Sequence, residues 1–211
     1  MNNLKLTVFD IFSYMIPGFC YLALFSWGLD DIQISTDVQT ISTLSIYAAV
    51  AFCFFSYIIG FISDSLASVI VVRIIDWFRG DIRDRVSLKF KDEGQKDEEY
   101  RYRFSAIYAF ADVKAPQARE KADQFSAMSG LARNLALVFL VFAFAVGIRP
   151  LFNRQSVIWP IYATKLTVAL GISIILMFRS DTFRRWSHSH LFNVYKLLRV
   201  NVPTKRRSSS K

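Results

Sequence analysis

Charged and polar residues are costly inside apolar helices, so each one found there is a candidate for function. Four charges stand at the ends of four apolar runs: Asp10, Asp64, Arg133 and Arg179. Asp10 opens the first run, Asp64 closes the second, Arg133 opens the third and Arg179 closes the fourth. Two acids and two bases at one level form an inner-interface charge layer. They either pair within or between subunits, or stand as ordinary charges solvated by headgroups. Asp64 is singled out because residues 65–72 are again apolar and can hold it below the surface. Ser56, Gly60, Asp64 and Ser68 follow at steps of four, on one helical stripe. Small residues at that spacing let helices pack closely. The alternative is a polar stripe lining a water-filled path in an oligomer, with Asp64 as a cation-attracting ring. Lys165 lies well inside the fourth run. Its long stem can snorkel to the outer interface, or it faces a cavity.

Outside the runs, Tyr100, Arg101, Arg103 and Phe104 bring two guanidinium groups among aromatic rings. They are candidates to contact an anionic ligand or a partner, against the plainer reading of exposed helix charges. His188 and His190 are two residues apart, on different faces of a helix, and make poor joint metal ligands. Asp76, Asp81 and Asp84 alternate with Arg73, Arg79, Arg83 and Arg85, as on a solvated helix with intrahelical pairs. No phosphate-cradling glycine loop, zinc-protease helix motif or serine-nucleophile motif occurs in the chain. The expectation is a protein without a catalytic residue, a metal or a cofactor.

The elements that must position these residues are helices. The chain has 211 residues, 53% of them hydrophobic and 20% charged. The apolar residues come in blocks rather than spread as a soluble core needs. A spanning helix requires about 20 mostly apolar residues, and four runs approach or reach that length: 11–29, 41–63, 131–148 and 156–178. The expected fold is an all-α integral membrane protein with four transmembrane helices. The first pair of spans lies within 1–64 and the second within 131–178. Between them, 65–130 forms a small helical cytoplasmic module. Residues 179–211 form a basic amphipathic tail. The second helix is expected to run on past the membrane, since 41–78 has no Pro and one Gly. Pro116 suits the first turn of a helix that continues into the third span. In the tail, Phe183, Trp186, His190, Val194 and Leu197 recur at helical spacing, as for a helix lying in the interface. Cys20 and Cys53 both fall inside runs, which argues against a structural disulfide.

Charge sets the expected orientation. Residues 30–40 hold three Asp and no Lys or Arg, whereas the tail holds nine basic residues and one acidic. The positive-inside rule then puts both termini in the cytoplasm. The module has twelve basic and eleven acidic residues, so nearly all of the net charge of +9 belongs to the tail. A tail following a membrane helix meets anionic lipid first, and no nucleic acid is expected as a partner.

The opening stretch Phe9-Asp10-Ile11-Phe12-Ser13-Tyr14-Met15-Ile16-Pro17-Gly18-Phe19, with the four-span layout, resembles small multi-pass bacterial membrane effectors of antiphage defence systems. The resemblance covers about a twentieth of the chain. It implies action by changing membrane permeability, and it carries over no site residue. The expectation is a homo-oligomeric channel or membrane-permeabilising effector, gated through the cytoplasmic module by a protein or small-molecule trigger. The competing expectation is a non-enzymatic anchor holding a cytoplasmic partner through the face that runs from Tyr100 to Ala111.

Overall fold

The computed structural model describes residues 2–28, 46–80, 107–152 and 159–200. All of these are helical except Gly80 and Ala115, and no strand occurs among them. The helices are α1 (Asn2–Gly28), α2 (Ile46–Arg79), α3 (107–114), α4 (Pro116–Phe152) and α5 (Trp159–Val200). Three of them, α2, α4 and α5, are long and apolar enough to cross a membrane. The apolar part of α1 is shorter, Ile11–Phe25.

The helix boundaries follow from local chemistry. Helix α2 ends where Gly80 takes φ 75°, a left-handed conformation that favours glycine. Pro116 opens α4, where its missing N–H removes no bond. The carbonyl of Ala115 accepts two amides of the first turn of α4, from Ala118 at 3.0 Å and Arg119 at 3.1 Å. The fourth apolar run does not end as a separate helix at Arg179. Helix α5 continues without a break to Val200, so the expected tail helix is its direct extension.

The chain divides into two compact units. The first comprises Met1–Arg79 with Ala127–Thr182, and the second Gly80–Ser126 with Phe183–Lys211. Residues 183–200 thus fall in one unit with part of the expected module. In the second unit, Ile107, Ala111, Ala122, Leu191 and Phe192 make a buried cluster, with Tyr108 and Tyr195 against it. The packed face of this part of α5 therefore runs through Ser187, Leu191 and Phe192. Leu197, placed on the apolar stripe by its spacing, is exposed.

In the first unit, α1 and α2 cross at backbone contact. A Cβ on Gly18 would collide with the Ser56 carbonyl, and one on Gly60 with the Tyr14 carbonyl. The crossing is reciprocal: 14 and 18 on one helix meet 60 and 56 on the other, so the pair is antiparallel. Edge-to-face rings flank it, Tyr14 with Tyr57 at 5.6 Å and Phe19 with Phe52 at 5.7 Å. Helices α4 and α5 also run antiparallel, joined by serines. Ser129 Oγ donates to the Ser180 carbonyl at 2.9 Å and Ser180 Oγ to the Ser129 carbonyl at 3.0 Å. Ser173 Oγ donates to the Ala136 carbonyl at 2.9 Å. In the second unit, Ser187 Oγ donates to the Ala122 carbonyl at the same distance. Within the first unit, Ser129 and Ala136 on one helix and Ser180 and Ser173 on the other are each seven residues apart. A small residue every seven positions is the spacing of an antiparallel coiled-coil seam with backbones drawn close.

Candidate functional site

Several polar side chains of the first unit hold helices to one another. Arg133 Nη2 donates to Asp64 Oδ1 at 2.6 Å, joining α4 to α2. Both side chains are partly open, with 22% of Arg133 and 29% of Asp64 exposed. One residue earlier in α2, Ser63 Oγ lies 3.3 Å from the Tyr21 hydroxyl of α1. Beside Arg133 in sequence, Asn134 is buried, and its amide oxygen has no hydrogen-bond partner among the described residues. The Nε of Arg133 is likewise unpartnered there. The Asp64–Arg133 pair is therefore a polar contact between helices whose buried side chains are largely apolar.

Of the four charges of the expected layer, two are seen to meet. The structure brings Asp64 and Arg133 together. Arg179 is exposed and engaged by other groups, and the Asp10 side chain lies outside the described residues. The stripe at steps of four divides in the same way. Ser56 and Gly60 are buried against α1, Asp64 pairs with Arg133, and Ser68 is exposed with its hydroxyl on the Ser65 carbonyl at 2.7 Å. The buried face of α2 runs instead through Ser56, Gly60, Ser63, Ala67, Val71 and Ile75. A four-residue step overshoots one turn of 3.6 residues by about 40°, so Ser68 has rotated off that face. Lys165 is half-buried and engaged by other groups. Tyr100, Arg101, Arg103 and Phe104 lie outside the described residues.

A second ion pair was not anticipated. Arg79 Nη1 donates to Asp181 Oδ2 at 2.8 Å, and the Asp181 carboxylate is fully buried. The Arg79 guanidinium also lies over the Phe178 ring, 4.4 Å from its centroid. The alternating charges around Arg79 suggested pairs along one helix, yet this arginine reaches across to α5. A lone acid following Arg179 in a basic segment was the available signal for Asp181.

The second unit has a cluster of its own, centred on Arg119. Its Nε binds Asp112 at 3.2 Å and Asp123 at 3.1 Å, and its guanidinium lies 4.4 Å from the centre of the Tyr108 ring. Burial raises the Tyr108 pKa above the usual phenol value, opposed by a hydrogen bond with Ser187 and by the Arg119 charge. Ile107 and Ala111, part of the face expected to hold a partner, are already covered within this unit. Among the described residues, no group of three or more His, Cys, Asp or Glu is placed to hold a metal ion. No family model matches the chain, and no curated protein and no solved structure matches it.

Proposed function

We propose that the protein is a multi-pass inner-membrane protein with four spans and cytoplasmic termini, and that it acts as a homo-oligomeric channel or membrane-permeabilising effector. The observation that carries this reading is the partly open Asp64–Arg133 pair on two helices able to cross a membrane. A charge pair that is not enclosed by its own protomer does not face hydrocarbon at low cost. It faces water or another copy of the chain. A chain of this size has little room for a path within one subunit, so a path belongs on a symmetry axis between copies. The unpartnered oxygen of Asn134 fits a site that takes up water. Gating through the second unit, in answer to a protein or small-molecule trigger, is part of the proposal. Antiphage defence is the setting suggested by the resemblance of the opening segment. The anchor reading is the lesser one, because Ile107 and Ala111 of its docking face are occupied by the protein's own helices.

The test is the oligomeric state of the purified protein, followed by current recording in planar bilayers. Discrete currents whose ion selectivity changes in Asp64→Asn support a channel lined near this pair. A well-folded monomer that passes no current refutes it.

A further inference from the structure

The outward face of α2 carries its own depth marker. Ile62, Leu66, Val69 and Ile70 are exposed along this face. Arg73 continues it, also exposed, and no ion pair of Arg73 occurs among the described residues. Trp77 and Phe78 follow at 80% and 71% exposure, their rings edge to face at 4.6 Å. Gly80 then ends the helix. Aliphatic side chains belong in hydrocarbon, whereas an unpaired guanidinium is costly there. Tryptophan prefers the headgroup boundary. The order aliphatic, Arg, Trp is thus the order of a helix leaving a bilayer.

A separate contact gives the same level. Arg79 lies over Phe178 and binds Asp181, on either side of Arg179, which closes the apolar run of α5. The end of that run is level with the Arg79 side chain. The Asp64 backbone stands fifteen residues before Arg79, about 22 Å back along the α2 axis, while its partner Arg133 stands four residues, about 6 Å, inward of Ser129, which bonds Ser180.

We infer that the headgroup level on α2 lies at Arg73 to Phe78, where Arg73 binds the phosphate of an anionic phospholipid beside the Trp77 and Phe78 rings, and that the Asp64–Arg133 pair lies at the depth of the hydrocarbon core, facing water or another copy of the chain rather than lipid tails. The stretch from Val50 to Val72 then measures about 34 Å, close to the ~30 Å thickness of a hydrocarbon core. A span ending at residue 63 would leave Leu66, Val69 and Ile70 exposed to water. Asp64 sits about 13 Å inward of Arg73 along the helix axis, so the pair is an intramembrane feature rather than part of an interfacial layer. The inference requires insertion in a membrane and is independent of whether the protein conducts.

Two measurements on the full chain in lipid test it. In a Cys20→Ser, Cys53→Ser background, Leu66→Cys, Ile70→Cys and Trp77→Cys are each placed in phosphatidylcholine–phosphatidylglycerol vesicles. A water-soluble maleimide is supplied to both sides. The expected result is labelling of Leu66→Cys and Ile70→Cys at least about tenfold slower than Trp77→Cys, because the thiolate forms only in contact with water. Equal labelling at the three positions returns the headgroup level to Asp64 and overturns the inference. The second measurement keeps the native cysteines. Phosphatidylglycerol added to the detergent-solubilised protein is expected to raise its thermal midpoint, in Arg73→Lys as well, but less in Arg73→Gln. A full rise in Arg73→Gln, or the same rise from inorganic phosphate alone, overturns the lipid site.

Discussion

Asp181 is the most completely enclosed charge among the described side chains, and its neutralising partner comes from another helix. Its carboxylate has no exposed surface, while Arg79 is a third exposed. Removing the arginine takes away the ion-pair partner that another helix supplies to this buried charge. Such losses cost about 3–5 kcal/mol in enclosed pairs. The exposure of Arg79 screens the interaction, so Arg79→Gln is expected to cost about 1–3 kcal/mol. Asp181→Asn removes the charge that needs a partner and keeps an acceptor, so its cost is expected to be smaller. Thermal unfolding in detergent separates the two, and a larger loss in Asp181→Asn would contradict this account. The pair shows where residue-scale reading of the sequence stops. Asp64 and Arg133 stood out because apolar residues surround them, and the structure joins them at 2.6 Å. Asp181 did not stand out, because Arg179, Arg184 and Arg185 give its neighbourhood the look of a solvated segment.

Among the elements, helix lengths were the most legible feature. A run without Pro and with one Gly implied a long α2, and α2 extends to Arg79. Contacts between helices were less legible. The stripe at steps of four identified Ser56 and Gly60, but the helical period carries the true contact face away from Ser68. The seven-residue step from Ser129 to Ala136 against that from Ser173 to Ser180 was present in the sequence but did not stand out there. Alanine and serine are unremarkable in a helix singly, and their meaning comes only from the partner helix. Gly60 makes the physical point testable. Its Cβ would meet the backbone of Tyr14, which cannot rotate aside as a side chain can. Gly60→Ala is therefore expected to force α1 and α2 apart at a cost of about 1–3 kcal/mol. Gly171 has nothing within 4 Å of a built Cβ. Gly171→Ala is expected to be neutral or to stabilise by up to about 1 kcal/mol through helix propensity. Thermal midpoints of both variants in one detergent check the contrast. A loss in Gly171→Ala as large as in Gly60→Ala would show that the crossing does not set the cost.

At the scale of the whole molecule, apolar surface is distributed unevenly. Only 17% of the apolar window of α5 is buried inside the protein, against 44% for α4. Large exposed apolar faces on soluble monomers are rare, so α5 is shaped for lipid or for other copies of the chain. The second unit is held differently, by the cluster around Ile107 and Leu191 and by the Arg119 contacts. That difference predicts separate responses to alkali. Burial keeps Tyr108 protonated to higher pH than in an unfolded chain, where a phenol titrates near 10. Its contribution is therefore fully present below pH ~10. It is lost as the pH rises through the folded-state pKa, because the unfolded chain ionises first. The phenolate would also be formed among buried apolar groups, with Asp123 opposing it and Arg119 favouring it. Trp186 packs edge-on to Phe125 and Phe183 at 5.7 Å and reports on this unit. Its emission is expected to shift above pH ~10 while the amides of α2 stay protected from exchange. Tyr108→Phe removes the ionising group, so the shift moves to higher pH or disappears. An unchanged alkaline shift in Tyr108→Phe would place the sensitivity elsewhere in the unit. Simultaneous loss of protection in α2 would show that the two units unfold as one.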